Sequence, residues 1–461
     1  LKQKIHFLLD DFSNITYYHF VHKRIVIPIV LLLSILLSAE TSRYFENSPF
    51  RSEKVDPKIA WQIQNSLVLD TNGENIFSFQ YLPDGKSIIL GTTDFNLYRI
   101  QLKDGSQIWK ANAKMMFQKE YDGPAIFDIS PDGKSFLSFG QTDPNIQASE
   151  RFLVLRSTDN GQIQKSFPVI QSEFHSLTAA IDYRFPGEEE AKQREEAELG
   201  MNWIMTIDRA VFIHGGKRIL ASYKHNMEGP NFYDRRFIIY DTKSGKALLD
   251  YQLTCDPETA NWDQPAGFEI AHFQLPFVYS ENRKSILFGT AHGRIIEITE
   301  QTMIKNKNTS LVENKLAGDV LFIPLSESED LATKDRQTIR SLSISPDNRY
   351  LFISAGVESG YIQFHVFDLK IKKEIFISSK VEAGKIISAS NDFIVIGGNH
   401  SSNDFYIIHA SKGTLVFSNV GLESNLSTSN FASNPVGKEV IAVSGGNKIS
   451  FLRPPGPLTP W

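Results

Sequence analysis

The sequence predicts an all-β fold, a seven-bladed β-propeller closed into a ring by its own N-terminal strand. Three observations predict it. One hairpin turn is used repeatedly: Leu82-Pro83-Asp84-Gly85, Ser130-Pro131-Asp132-Gly133 and Ser345-Pro346-Asp347-Asn348 each stand between two apolar runs. In such a turn proline presets φ, Asp caps its own backbone, and Gly accepts positive φ. These turns punctuate seven strand-rich units, the shortest about 40 residues and so close to the period of a propeller blade. The last unit stops one strand short, at Pro454, while an unclaimed strand stands at the beginning, Ile59–Ile63. Letting that strand complete the seventh blade closes the ring and removes an open edge that invites aggregation.

Composition fits this class. Hydrophobic residues make up 41% and charged residues 22% of the chain, values of a globular protein and not of a disordered one. Numerous Gly and Phe residues and few long Ala/Leu/Glu/Lys runs lean toward strands and turns. A net charge of −5 over 461 residues offers no basic excess to neutralise phosphates, so nucleic acid is not an expected partner. The single cysteine, Cys255, excludes an intramolecular disulfide and a cysteine-based zinc site.

Residues 1–24 are polar and aromatic, ending in His22-Lys23-Arg24. Ile25–Ala39, IVIPIVLLLSILLSA, is a charge-free apolar run of 15 residues. Basic residues followed by a run of that length predict an N-terminal hydrophobic helix, a signal peptide or a membrane anchor. Cleavage after Ala39 would put Leu37 where a small residue is wanted, so cleaved and anchored forms both stay open. A retained segment would leave the remainder outside the cytoplasm. The expected localisation is therefore periplasmic, or membrane-anchored and facing outside. Residues 40–58 read as a polar linker.

The propeller spans 59–453. Its units run over 76–113, 125–169, 210–253, from Phe273 onward, 339–379, 385–421, and from Leu426 to Pro454. Two stretches interrupt the period. Residues 170–208 carry GEEEAKQREEAELG, Gly187–Gly200, whose i,i+4 charge pairs describe a solvated surface helix more simply than a partner-binding one. Residues 312–335 form a second polar excursion, and 454–461 is a proline-rich tail suited to PPII.

With these units in hand, the pattern resembles WD40-like propellers, in the looser bacterial form that includes the TolB-type repeats. The carriers are Pro83-Asp84-Gly85, Pro131-Asp132-Gly133, Pro346-Asp347, and the turns Asp241–Gly245 and Ser411-Lys412-Gly413. No Trp-Asp pair ends a blade and no Gly-His pair opens one, so the internal hydrogen-bonded tetrad of eukaryotic WD40 blades is not expected. Gly105-Ser106-Gln107-Ile108-Trp109 resembles a quinoprotein-type turn, in one repeat alone.

Catalytic motifs fail on spacing. Gly85-Lys86-Ser87 and Gly133-Lys134-Ser135 would need a glycine five residues earlier to form a phosphate loop, and Gln80 and Asp128 stand there. The sequence holds no G-x-S-x-G elbow, no H-E-x-x-H and no calcium loop. Neither a catalytic residue nor a cofactor or metal is predicted. One constellation points to binding. His225, His292 and His400 each fall between the second and third strands of a unit, and Tyr121, His272 and Arg340 precede inner strands. Both kinds of connection gather on one face of a propeller, so the six form a candidate binding set. The expected function is a non-catalytic, exported or membrane-anchored protein-interaction scaffold in the bacterial cell envelope. The alternative is a propeller enzyme of lactonase or quinone-dependent dehydrogenase type.

Overall fold

The structure is a computed structural model. It describes residues 60–113, 126–140, 152–168, 170–172, 203–225, 235–253, 276–289, 294–305, 319–322, 338–356, 362–378, 385–388, 393–397, 405–409, 414–418, 431–436, 439–443 and 446–454. The expected N-terminal helix over Ile25–Ala39 and the acidic stretch Gly187–Gly200 lie outside the described residues.

Seven antiparallel sheets follow one another along the chain. Each is a meander whose first strand is innermost and whose fourth is outermost. Blade 1 runs Ile76–Tyr81, Ser87–Thr92, Asn96–Gln101 and Gln107–Asn112. Blade 7 takes three strands from the C-terminal end, Phe431–Ser433, Val440–Val443 and Lys448–Arg453. Its fourth is Gln62–Val68, paired antiparallel with Lys448–Arg453 from Gln62↔Arg453 to Val68↔Lys448. The closing strand therefore sits three residues later than the alternation at Ile59–Ile63 predicts. Trp61 is used otherwise: it is buried against Phe393, and its N–H donates to the Val416 carbonyl of blade 6.

Alternation within strands explains why the ring is solid. In Tyr350–Gly356 of blade 5 every residue is buried, yet the side chains divide by parity. Tyr350 and Phe352 pack with Ile394 and Ile396 of blade 6, while Leu351 and Ile353 pack with Leu287 of blade 4. A strand with a neighbour on each face reads as a continuous apolar run, although its period is still two. Seven such apolar layers occur, one between each pair of adjacent blades, including the closing layer between blades 7 and 1.

The Pro-Asp-Gly turn has a second task that hairpin geometry alone does not reveal. Within the turn, Asp132 Oδ1 accepts the Lys134 N–H at 3.1 Å and the Ser130 hydroxyl at 2.7 Å. Between turns, the proline of one blade lies on the glycine of the next. A Cβ on Gly133 would stand 3.2 Å from Pro83, and one on Gly216 3.0 Å from Pro131. The outer turns repeat the arrangement, with Leu67, Trp109 and Lys165 on the outer strands facing Gly105, Gly161 and Gly245 of the following blade. Trp109 Nε1 also donates to the Thr158 carbonyl at 2.8 Å. The motif is thus a clasp from blade to blade as well as a hairpin.

Two blades depart from the regular plan. Blade 3 has five strands, because Ile170–Ser172 pairs with the start of an 11-residue inner strand, Trp203–Ile213. Both ends of the stretch read as an insertion over 170–208 therefore belong to the sheet. Blade 4 replaces its outer turn with a short helix, Glu300–Lys305, whose Met303 enters the layer shared with blade 3. Its fourth strand, Asp319–Phe322, lies inside the polar excursion 312–335, where four residues give too little alternation to read.

Candidate functional site

A four-stranded meander puts its first–second and third–fourth turns at one end of the ring. Its second–third turns and the connections to the next blade lie at the other end. Of the candidate binding set, His225 and Arg340 fall among the described residues. His225 is the last residue of the strand Arg218–His225, in register with Met205, and so stands on a strand end instead of in a turn. The reason is the long inner strand of blade 3, which extends the pairing by several residues toward this face. Arg340 lies within the inner strand of blade 5, half-buried, at a bulge between Ile339 and Ser341. A bulge re-aims a side chain relative to its strand neighbours. Tyr121, His272, His292 and His400 lie outside the described residues.

Beside this face a buried carboxylate ties blade 1 together. Glu74, on the connection entering the blade, accepts from Asn96 Nδ2 at 2.8 Å, Tyr98 OH at 3.2 Å and Lys110 Nζ at 3.2 Å. The Thr92 hydroxyl donates to its other oxygen. Burial opposes ionisation of Glu74, but the Thr92, Asn96 and Lys110 hydrogen bonds outweigh it and hold the carboxyl below its ordinary value. Its four partners come from the second, third and fourth strands of the blade. The tetrad absent from the sequence thus has a polar counterpart of different composition in blade 1.

The inner strands carry a second polar series that sequence reading missed. Ser78 Oγ accepts the Ile126 N–H at 3.3 Å, and Gln80 Nε2 donates to the Phe127 carbonyl at 2.9 Å. Asp128 Oδ2 accepts the Phe212 N–H at 2.7 Å, and Arg209 Nη1 donates to the Phe277 carbonyl at 3.1 Å. Ser341 Oγ accepts the Ile386 N–H at 3.1 Å. Each bond runs from one inner strand to the next, so these polar residues stitch successive blades together. A lone polar residue in an apolar strand, such as Asp128 in IFDI, was the available signal.

Burial pushes the Asp128 carboxyl up to about 6, against the pull of its two backbone donors. A carboxyl raised above its ordinary 3.8 favours the fold most when protonated. Its contribution is fully present below that ordinary value and is lost as pH rises through about 6. The expected loss is on the order of 2 kcal/mol between about pH 4 and pH 7. Urea unfolding of the wild type and Asp128→Asn at those two pH values checks this; parallel pH profiles would contradict it.

The opposite end holds a third cluster, between blades 3 and 4. Glu300 Oε1 lies 2.6 Å from His214 Nε2 and accepts the Tyr279 hydroxyl at 2.6 Å, while Oε2 faces Arg218 Nη1 at 3.3 Å. Burial opposes ionisation of Glu300, but the Tyr279 and His214 bonds prevail and lower its pKa. Burial and the bond to Glu300 push the Tyr279 hydroxyl up. Both carboxylate oxygens are engaged. The cluster fastens the helix Glu300–Lys305 to blade 3. Among the described residues no group of three or more His, Cys, Asp and Glu is placed to hold a metal ion.

No protein-family model matches this chain, and no curated protein matches it either. Among solved structures it is similar to the β-propeller domain of Cps50 (Swd1) from Myceliophteria thermophila. That similarity has a TM-score of 0.50 at 12% identity, covering 85% of this chain and 99% of that domain. At such identity the likeness concerns the fold alone, and the fold is a WD40-like seven-bladed β-propeller.

Proposed function

We propose that this chain is a non-catalytic protein-interaction scaffold, exported or membrane-anchored in the bacterial cell envelope. Within WD40-like propellers it fits the looser form with TolB-type turns. One observation carries the scaffold reading: the two ends of the ring are built differently. At the Pro-Asp-Gly end the connections are tight, five residues between Tyr81 and Ser87 and four between Ile213 and Arg218, with the 19 residues between Thr299 and Asp319 of blade 4 as the exception. At the other end, 23 residues separate Leu253 from Phe277 and 15 separate Phe322 from Thr338. Long connections on a stiff frame are where recognition is concentrated. His225, His292 and His400, with Tyr121, His272 and Arg340, are the side chains we assign to that end. The envelope setting is supported by the charge-free run Ile25–Ala39 behind His22-Lys23-Arg24.

A photo-crosslinking residue at His225 tests the scaffold reading against one at Pro131 on the opposite end. Protein adducts from solubilised envelope are expected at His225 and not at Pro131. Bound calcium or a quinone absorbance band in the purified protein would overturn the reading in favour of a propeller enzyme. Fractionation with N-terminal sequencing tests the setting. A mature chain beginning near Glu40 means a free exported protein, an intact Ile25–Ala39 in the membrane fraction means an anchored one, and recovery in the cytosol overturns both.

A further inference from the structure

The tight-turn end of the ring is not uniform in charge. On blades 3 to 5 the outer turns present exposed lysines: Lys243 and Lys246 in blade 3, and Lys370, Lys372 and Lys373 in blade 5, with Lys284 on the inner turn of blade 4. The exposed carboxylates on the same turns are Glu281 and Asp347. On blades 1 and 2 the corresponding turns alternate in sign, with Lys86, Lys103 and Lys134 against Asp84, Asp104, Asp132 and Asp159. A basic sector thus stands on a chain whose net charge is −5.

The cations of this sector divide by type. Each of its arginines is committed to a carboxylate inside the ring: Arg218 to Glu300, Arg283 to Glu297 and Arg349 to Asp368. Among the described residues these six lysines are in no ion pair, and Lys372 lies near enough to Glu297 to help lower its pKa. Arginine suits fixed bidentate partners, whereas flexible lysines suit a diffuse anionic surface. Among the lysines, each of the three blades also exposes one large aliphatic side chain. Leu248 is 42% exposed, Ile304 57% and Ile371 40%. They stand one to a blade instead of forming the contiguous desolvated patch of a protein hot spot. Separate aliphatic tips set among lysines match the interface of an anionic bilayer, where headgroups part around each tip.

The course of the chain agrees. Gln62 pairs with Arg453 and Val68 with Lys448, so the closing strand enters the ring at this same end. The apolar run Ile25–Ala39 lies upstream of that entry point, separated from Gln62 by residues 40–61. A membrane reached by that run would face the basic sector.

We infer that the turns of blades 3 to 5 form a docking surface for anionic lipid, with Leu248, Ile304 and Ile371 dipping among the headgroups and the lysines holding the charge. The inference rests on the envelope reading only for the source of the surface, and vesicles test it without that reading. The full chain with Cys255→Ser and Ile371→Cys carries an environment-sensitive fluorophore at position 371; a second version carries it at Ile108→Cys on the outer strand of blade 1. Vesicles of phosphatidylcholine alone and of phosphatidylcholine with phosphatidylglycerol are added to each. A blue shift is expected at position 371 with the anionic vesicles only, and none at position 108. Adding Lys370→Glu and Lys373→Glu should weaken that response by at least roughly 25-fold, about fivefold for each lysine removed from an anionic surface. Equal response at both positions, equal response to both vesicles, or no shift while the chain co-floats with anionic vesicles would overturn the proposal. A shift with soluble polyglutamate and not with vesicles would also overturn it, and would mark a site for acidic protein segments. Failure of the crosslinking at His225 would leave this result untouched, because the two experiments probe opposite ends of the ring.

Discussion

Gly85→Ala is expected to destabilise the ring by about 3–5 kcal/mol, through strain at φ and collision at the closing seam. Gly85 has φ +67, and a Cβ there would stand 2.3 Å from Asn434 Oδ1 and 2.5 Å from Val436 Cγ2. The same approach supports a bond from Asn434 Nδ2 to the Gly85 carbonyl at 3.2 Å. Gly73 supplies the control, since it has φ +82 and no heavy atom within 4 Å of its virtual Cβ. Gly73→Ala should cost only the conformational part, about 1 kcal/mol. Urea unfolding of both variants separates the two contributions; equal losses would show that the seam tolerates the extra atom.

Glu439→Gln is expected to cost a similar amount, about 3 kcal/mol, by a different route. Glu439 is buried in blade 7, accepts the Tyr81 hydroxyl of blade 1 at 2.7 Å, and pairs with Arg453. Burial, reinforced by the Glu439 carboxylate, pushes the Tyr81 hydroxyl well above its ordinary value. The amide keeps the shape but turns N–H groups toward a guanidinium that loses its counter-charge. Removing one member of a buried pair is far more costly than never having had the pair. Hydrogen exchange should accelerate first in Gln62–Val68 and Lys448–Arg453, and Tyr81→Phe added to Glu439→Gln should cost less than the two separate losses combined. Uniform acceleration around the ring would show that closure is not centred on this pair.

Local features of the fold were readable from residues, and pairings between blades were not. The turns at Pro83-Asp84-Gly85 and Pro131-Asp132-Gly133 announce their hairpins because proline, Asp and Gly each act within a few residues. That Pro83 also covers Gly133, or that Gly85 meets Asn434, depends on which blades become neighbours across the closed ring. The missing strand of blade 7 was legible from an incomplete repeat, although its register was not, because QIQNSLV alternates weakly. Blade 4 hid its last strand in polar surroundings and exchanged a glycine turn for the helix Glu300–Lys305. At the candidate site, the placement of His225 depended on how far blade 3 extends, which the period of the repeat does not encode. The interstrand stitches at Ser78, Asp128 and Arg209 were visible only as polar residues in apolar strands, without their partners.

The five-stranded blade gives the ring an unusual tolerance. Ser172 and Trp203 face each other across an antiparallel pair, so the 30 residues between them leave and return at adjacent points. Once such a gate is fixed, the entropy of closing the loop grows only with the logarithm of its length, about 0.6 kcal/mol per doubling. The sheet beneath is then largely indifferent to what the excursion contains. Ile170–Ser172 with Trp203–Met205 is a natural graft port, a place where new sequence can be acquired, exchanged or engineered while the remaining blades keep their registers.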